Sequence, residues 1–199
     1  MRQKIKGRTI LDIPDRIETA RQCVHHSLPC IWPLVLFTLA LILYRAPAYA
    51  VESQRQLDFY HTHTGESLSI VYYDGSHYDP TALEQINHFL SDFRNSAAHP
   101  IDPATLDILY RLRTKFGGEG IFEIISGYRS PETNAMLRKK GRSVAKRSLH
   151  MEGKAIDVRL RGVNTVRLRD AALKLKLGGV GYYRESDFVH VDSGRVRTW

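Results

Sequence analysis

Four residues in the last third of the chain are spaced to do metal-assisted chemistry: His150, Asp157 seven positions later, His190, and Asp187 three residues before it. Two imidazoles and a carboxylate supply three nitrogen and oxygen ligands, and a fourth position left to water is the arrangement of a catalytic zinc site. Hydrolysis at such a site also needs a group that takes and returns a proton, and fixed positive charge for an oxyanion. Asp187 has the position for the first role. Arg129, in the polar loop Ser126-Gly127-Tyr128-Arg129-Ser130-Pro131 that follows an apolar run, fits the second. The pattern points to a zinc hydrolase with His150, Asp157 and His190 as ligands.

The elements around these residues can be read from periodicity. Residues 154–160 alternate, with Ile156, Val158 and Leu160 on one face and Ala155, Asp157 and Arg159 on the other, so Asp157 points away from the apolar side. Residues 180–183 and 188–192 read as paired strands. Positions three apart fall on opposite faces of a regular strand, so Asp187 must belong to the connecting turn if His190 faces the site. Asp192 shares the face of His190 and is a candidate partner for an imidazole N–H, that of His190 or of His150. Upstream, residues 57–61 and 67–73 read as a hairpin with His61 and His63 as exposed histidines at its tip. Asp79-Pro80 and Asp102-Pro103 each open a helix with an Asp cap and a Pro in the first turn. Leu83, Ile86, Leu90 and Phe93 stripe the first, and Gly117-Gly118 stops the second. A third helix starts at Pro131. A fourth, 164–177, ends at Gly178-Gly179. The basic cluster from Arg138 to Arg147 reads as a solvated loop, with attraction to an anionic cell-wall polymer as a secondary reading.

The N-terminus is of a different kind. A basic segment to Pro29 precedes an uncharged run, Ile31 to Tyr44, of 14 residues, which is short of the ~20 that span a bilayer. Ala48-Tyr49-Ala50 follows as a small-x-small cleavage signal, so residues 1–50 are expected to be a secretory signal or an uncleaved inner-membrane anchor, and 51–199 the zinc peptidase domain. Both cysteines, Cys23 and Cys30, lie in that leader, which leaves the exported domain only nitrogen and oxygen ligands. Of the formal net charge of +8, the 22 Lys+Arg and 18 Asp+Glu from Val51 onward account for +4. That excess is too modest and too scattered for a nucleic-acid surface.

Ser126-Gly127-Tyr128-Arg129-Ser130, Ser148-Leu149-His150 through Asp157, Gly178-Gly179-Val180-Gly181-Tyr182-Tyr183 and Asp187-Phe188-Val189-His190-Val191-Asp192 together resemble the LAS-type zinc peptidases. That superfamily joins D-Ala-D-Ala peptidases and hedgehog domains, and the likeness is nearest to its MepK-type murein endopeptidases. The resemblance implies a small α+β fold, an antiparallel sheet with flanking helices, and one Zn2+ on His150, Asp157 and His190. It also implies Asp187 as base, in place of the longer Glu of related dipeptidases, and Arg129 as the arginine of the site. The implied substrate is the peptide stems of peptidoglycan, cut at their crosslinks between diaminopimelate residues, by a periplasmic monomer that touches membrane only through an uncleaved leader. Ser148 and Tyr128 are further candidates near the metal or substrate. Two alternatives stay open on sequence: a D,D-carboxypeptidase or dipeptidase that trims free ends, and a non-catalytic wall-binding zinc module.

Overall fold

The computed structural model describes residues 53–141 and 144–199, so the expected leader, 1–50, lies outside the described residues. Seven strands form one sheet: β1 (Arg55–His61), β2 (Ser67–Tyr73), β3 (Phe122–Ser126), β4 (Ala155–Leu160), β5 (Gly179–Tyr183), β6 (Phe188–Asp192) and β7 (Arg197–Thr198). Among the described residues four helices accompany them: α1 (Pro80–Phe89), α2 (Pro103–Lys115), α3 (Pro131–Lys139) and α4 (Thr165–Leu175). A single 3-10 turn, Leu149–Glu152, precedes β4. The fold is α+β. The strand order is β2-β1-β3-β4-β6-β5-β7. The sheet is mixed and not wholly antiparallel, because β1 runs parallel to β3 and β5 parallel to β7. Two helices lie between β1 and β3 in sequence, which is the crossover that parallel neighbours require.

The caps explain where the helices begin. Asp79 accepts from the Thr81 and Ala82 amides, Asp102 from Ala104, Ser130 from Thr133 and Asn164 from Val166, each satisfying an orphan donor of a first turn. α1 is shorter than its stripe predicts: it ends at Phe89 with Leu90 as cap, and Phe93 lies in the following loop. α4 likewise stops at Leu175, where Lys176 takes a left-handed φ of 53°, and Gly179 already belongs to β5. The core lies on one face of the sheet. Leu57, Phe59, Phe122, Ile124, Ile156, Val158, Val189 and Val191 bury there with Leu106, Leu109 and Leu112 of α2 and Leu168 of α4. Each fully buried leucine contributes roughly 1.5–3 kcal/mol. His61 departs from the sequence reading. It is 1% exposed, packed edge-on to Phe89 and Phe93, and its Nδ1 accepts from the amides of His63 and Thr64.

Two close approaches tie loops to the sheet near the 3-10 turn. Gly153 caps that turn with φ 65°, and its carbonyl accepts from the Asp102 amide. A Cβ there would stand 2.0 Å from the Pro100 carbonyl oxygen. Gly127 is as tight, since a Cβ would lie 2.4 Å from the Leu90 carbonyl oxygen. Gly153→Ala is therefore expected to destabilise the domain by on the order of 2 kcal/mol, from the backbone clash and the left-handed φ together. Urea unfolding with the m-value unchanged checks this.

Candidate metal centre

Three separate elements carry the candidate ligands: the 3-10 turn presents His150, β4 presents Asp157 and β6 presents His190. β4 and β6 are antiparallel neighbours in which Asp157 lies directly opposite His190, so the register alone puts these two side chains together on the face away from the core. His150 arrives from above. Its Nδ1 meets the Gly127 carbonyl at 2.8 Å, while its own carbonyl accepts from the Arg129 amide at 3.1 Å. The arginine loop and the histidine turn therefore hold each other in both directions.

Their inner atoms form a small triangle. His150 Nε2 is 3.2 Å from Asp157 Oδ1 and 3.2 Å from His190 Nδ1, and the third side, His190 Nδ1 to Asp157 Oδ1, is 2.8 Å. All three residues are buried, at 2%, 5% and 7% exposure. The outer hydrogen bonds set the proton positions. His150 Nδ1 can only donate to the Gly127 carbonyl, and His190 Nε2 donates to Asp192 Oδ2 at 3.0 Å. In the neutral rings the two inner nitrogens then carry lone pairs, and with the carboxylate oxygen they make three electron-rich atoms facing one another. Only a cation or a proton reconciles that arrangement. Tetrahedral ligand atoms bound at roughly 2.0–2.1 Å stand about 3.3–3.4 Å apart, close to the triangle seen here, so the donor set fits one divalent metal ion.

The electrostatics favour the coordinating form of His150 and Asp157, while His190 is inclined to keep a proton that a metal ion would displace. Burial holds the His150 imidazole below its ordinary pKa, against the pull of Asp157, and so favours the neutral ring. Burial opposes the charge on Asp157, but His150 and His190 outweigh it and keep the carboxyl well below the usual range. For His190 burial also opposes the charge, and its bonds to Asp157 and Asp192 raise the pKa past that cost.

Asp192 lies where its strand face predicts, and its imidazole partner is His190. It is fully buried yet fully partnered: Oδ1 accepts from the amides of Gly179 and Gly194, and Arg197 grips both oxygens, at 3.0 and 2.7 Å. A Cβ on Gly179 would meet Asp192 Oδ2 at 2.4 Å, so glycine is what lets the carboxylate sit there. Arg129 is also at the cluster. Its Nη2 is 3.5 Å from Ser126 Oγ and 3.7 Å from Asp157 Oδ2, and its buried Nε has no hydrogen-bond partner among the described residues.

The other candidates sit further out. Asp187 is in the β5–β6 turn, as strand geometry requires, with φ 50° and a side chain 64% exposed. Its carboxylate accepts from Thr165 Oγ1 and stands 3.7 Å from Arg159 Nε, and neither contact reaches the three ligands. Ser148 is buried at the start of the 3-10 turn, where its hydroxyl forms no capping bond. Tyr128 stacks on His99, with ring centroids 5.0 Å apart, and packs partly against the core. The sequence reading missed Arg197 and Trp199. A buried carboxylate such as Asp192 calls for a cation, which was the available signal for the first. The second had none, since it depends on a two-residue parallel strand at the chain end.

The family model described as "Peptidoglycan L,D-endopeptidase MepK" matches residues 49–199, the whole of the domain that carries this site. The chain belongs to this family. The MepK relatives include the peptidoglycan L,D-endopeptidase MepK of Escherichia coli strain K12, 43% identical over 156 residues, which cover 77% of this chain and 86% of that protein. The probable peptidoglycan L,D-endopeptidase MepK of Haemophilus influenzae is 42% identical over 146 residues, 73% of this chain and 78% of the relative. No solved structure matches the chain.

In this MepK-family site the His190–Asp192 bond fixes the ring that points a lone pair inward. Asp192→Ala is expected to weaken divalent-metal affinity by about 10–100-fold, as loss of such outer partners does elsewhere. Competition with a metallochromic chelator measures it.

Proposed function

We propose that the chain is a periplasmic, zinc-dependent L,D-endopeptidase of murein, with His150, Asp157 and His190 as metal ligands and Arg129 and Asp187 acting on the peptide. The chain is a murein endopeptidase by its family. The metal assignment rests on one observation, the inward convergence of two imidazole nitrogens and one carboxylate oxygen in a buried triangle. Zinc is the proposed ion because two imidazoles and one carboxylate, with a position left for solvent, form a donor set that hydrolytic zinc sites use. The L,D bond is the one for which the relatives are named.

The reaction adds water across an amide of the peptide crosslink. Oxygen goes to the carbonyl carbon, the C–N bond breaks, and a proton reaches the departing nitrogen. Zinc held there supplies Lewis acidity toward the carbonyl and lowers the pKa of water to roughly 7. The three ligands fix that chemistry at one point. Arg129, held in a rigid loop with an unpartnered Nε, offers fixed charge for the oxygen that becomes negative as the carbonyl is attacked. Asp187 is the proposed proton carrier, taking a proton from the attacking water and returning it to the amine. For that its carboxylate exchanges the Thr165 hydroxyl for the reacting groups. Its side chain, 64% exposed, is open to an incoming peptide.

Among the described residues no helix is long and apolar enough to cross a membrane. Residues 1–50 serve in this reading as an export signal or, uncleaved, as an inner-membrane anchor, and the catalytic domain works on the stems as a monomer.

The first test is digestion of isolated sacculi by the purified enzyme, followed by chromatography of the muropeptides. Crosslinked dimers should fall and monomers rise, chelation should stop this, zinc should restore it, and His150→Ala should lose both metal and turnover. Trimming of free stem ends with the dimers untouched would rule out endopeptidase action. A second test isolates the proton carrier. Asp187→Asn keeps a residue that tolerates the left-handed turn and still accepts from Thr165, but removes the carboxylate. Turnover should drop by about 10²–10⁴-fold with metal content unchanged, and undiminished turnover would place the base elsewhere.

A further inference from the structure

Trp199, the last residue of the chain, stands beside the metal centre without belonging to it. Its indole centroid is 5.1 Å from that of the His190 ring. Parallel pairing with β5 fixes its backbone: the Tyr182 amide donates to the Trp199 carbonyl at 3.1 Å, and the Trp199 amide to the Val180 carbonyl at 3.3 Å. Gly181 lies directly opposite His190 across the β5–β6 pair, and a Cβ there would meet the indole at 2.6 Å. The missing side chain is therefore the space the ring occupies. Two further contacts set its orientation. Nε1 donates to the Tyr183 hydroxyl at 3.1 Å, and the Arg197 guanidinium lies 4.9 Å from the ring while gripping Asp192.

A tryptophan held on so many sides has little rotamer freedom left to lose, yet it is 50% exposed. Other exposed apolar side chains, such as Val71, Val166 and Leu177, are smaller and belong to none of these contacts. A rigid aromatic surface, half open to solvent and adjoining a metal ligand, is how binding sites present apolar area at low entropic cost. We infer that Trp199 is a substrate-contacting wall of the metal site, against which the aliphatic portion of the peptide stem packs when the crosslink is brought to the metal. The ligand class is an extended peptide with methyl or methylene groups along one edge. The Arg197 guanidinium touches both the indole and Asp192, the carboxylate that binds His190. This assignment deepens the endopeptidase reading and rests on it.

The test uses a spectroscopic accident. The chain has two tryptophans, Trp32 and Trp199, so Trp32→Phe in the full-length, metal-loaded protein leaves Trp199 as its one indole. Titration with purified uncrosslinked tetrapeptide muropeptide, a product that is not turned over, should shift or quench its fluorescence to saturation. With crosslinked dimer as substrate, Trp199→Ala should raise KM by about tenfold, equivalent to about 1.4 kcal/mol of binding. Its kcat, metal content and melting temperature should stay near those of the parent, and Trp199→Phe should recover most of the loss. An indole signal blind to muropeptide, or an unchanged KM in Trp199→Ala, overturns the proposal. So does loss of metal or of fold in both variants, which makes Trp199 a prop for His190. A parent protein that binds no metal or leaves dimers intact would instead refute the endopeptidase reading, and the two failures are told apart by the parent alone.

Discussion

The structure depends on holding three electron-rich atoms against one another. His150 Nε2, His190 Nδ1 and Asp157 Oδ1 face inward within 3.2 Å, in a pocket where their burial removes the water that would screen them. With both rings neutral this is a repulsive arrangement, and a cation or a proton shared between His190 and Asp157 relieves it. It persists because each imidazole is anchored from behind by an acceptor that only its outer N–H can satisfy, the Gly127 carbonyl for one ring and the Asp192 carboxylate for the other. The scaffold thus holds the three donor atoms in place with hydrogen bonds made behind them.

Glycines are what let those anchors come close enough. Gly127 brings its loop against the Leu90 carbonyl, and so places the acceptor for His150. Gly179 leaves room for Asp192 and Arg197, and Gly181 for the indole of Trp199. β5 therefore carries a bare face on the side of the candidate ligands, where the strand next to it carries His190 and Asp192. Its other face still contributes Val180 to the core. A strand of alternating glycines is weak by itself. It is held here between β6 and β7, so that the small residues cost the sheet less than an exposed edge would.

Much of this was legible in the sequence because it follows from period and spacing. The alternation of residues 154–160 put Asp157 on the polar face, and the two-residue interval put Asp192 with His190, both as observed. The Asp-Pro caps located the starts of α1 and α2 to the residue. Helix ends were less legible, because Leu90 and Lys176 stop their helices through tertiary contacts and backbone conformation instead of through composition. The burial of His61 escaped for a related reason. A histidine in a hairpin tip reads as solvated until Phe89 and Phe93, from another part of the chain, close over it. The parallel pairs β1–β3 and β5–β7 were equally hidden, since no local pattern marks which strand becomes whose neighbour.

Asp187 shows how strand geometry limits a site. Three residues of strand at roughly 3.3 Å each separate it from His190 by about 10 Å if the chain stays extended. The left-handed φ at Asp187 breaks that extension and turns the carboxylate toward Thr165 at the start of α4 and toward Arg159 of β4. Arg159 stands two residues from Asp157 on the same face and also binds the carbonyls of Ser186 and Asp187, so the turn is clamped by the strand that carries a ligand. A motion of this turn toward the metal would therefore break contacts to Arg159 and Thr165 while leaving β4 and the ligand triangle in place. The candidate ligands thus sit on paired strands and a stitched turn, while the Asp187 carboxylate sits on a separate turn whose backbone occupies a sparsely populated conformation.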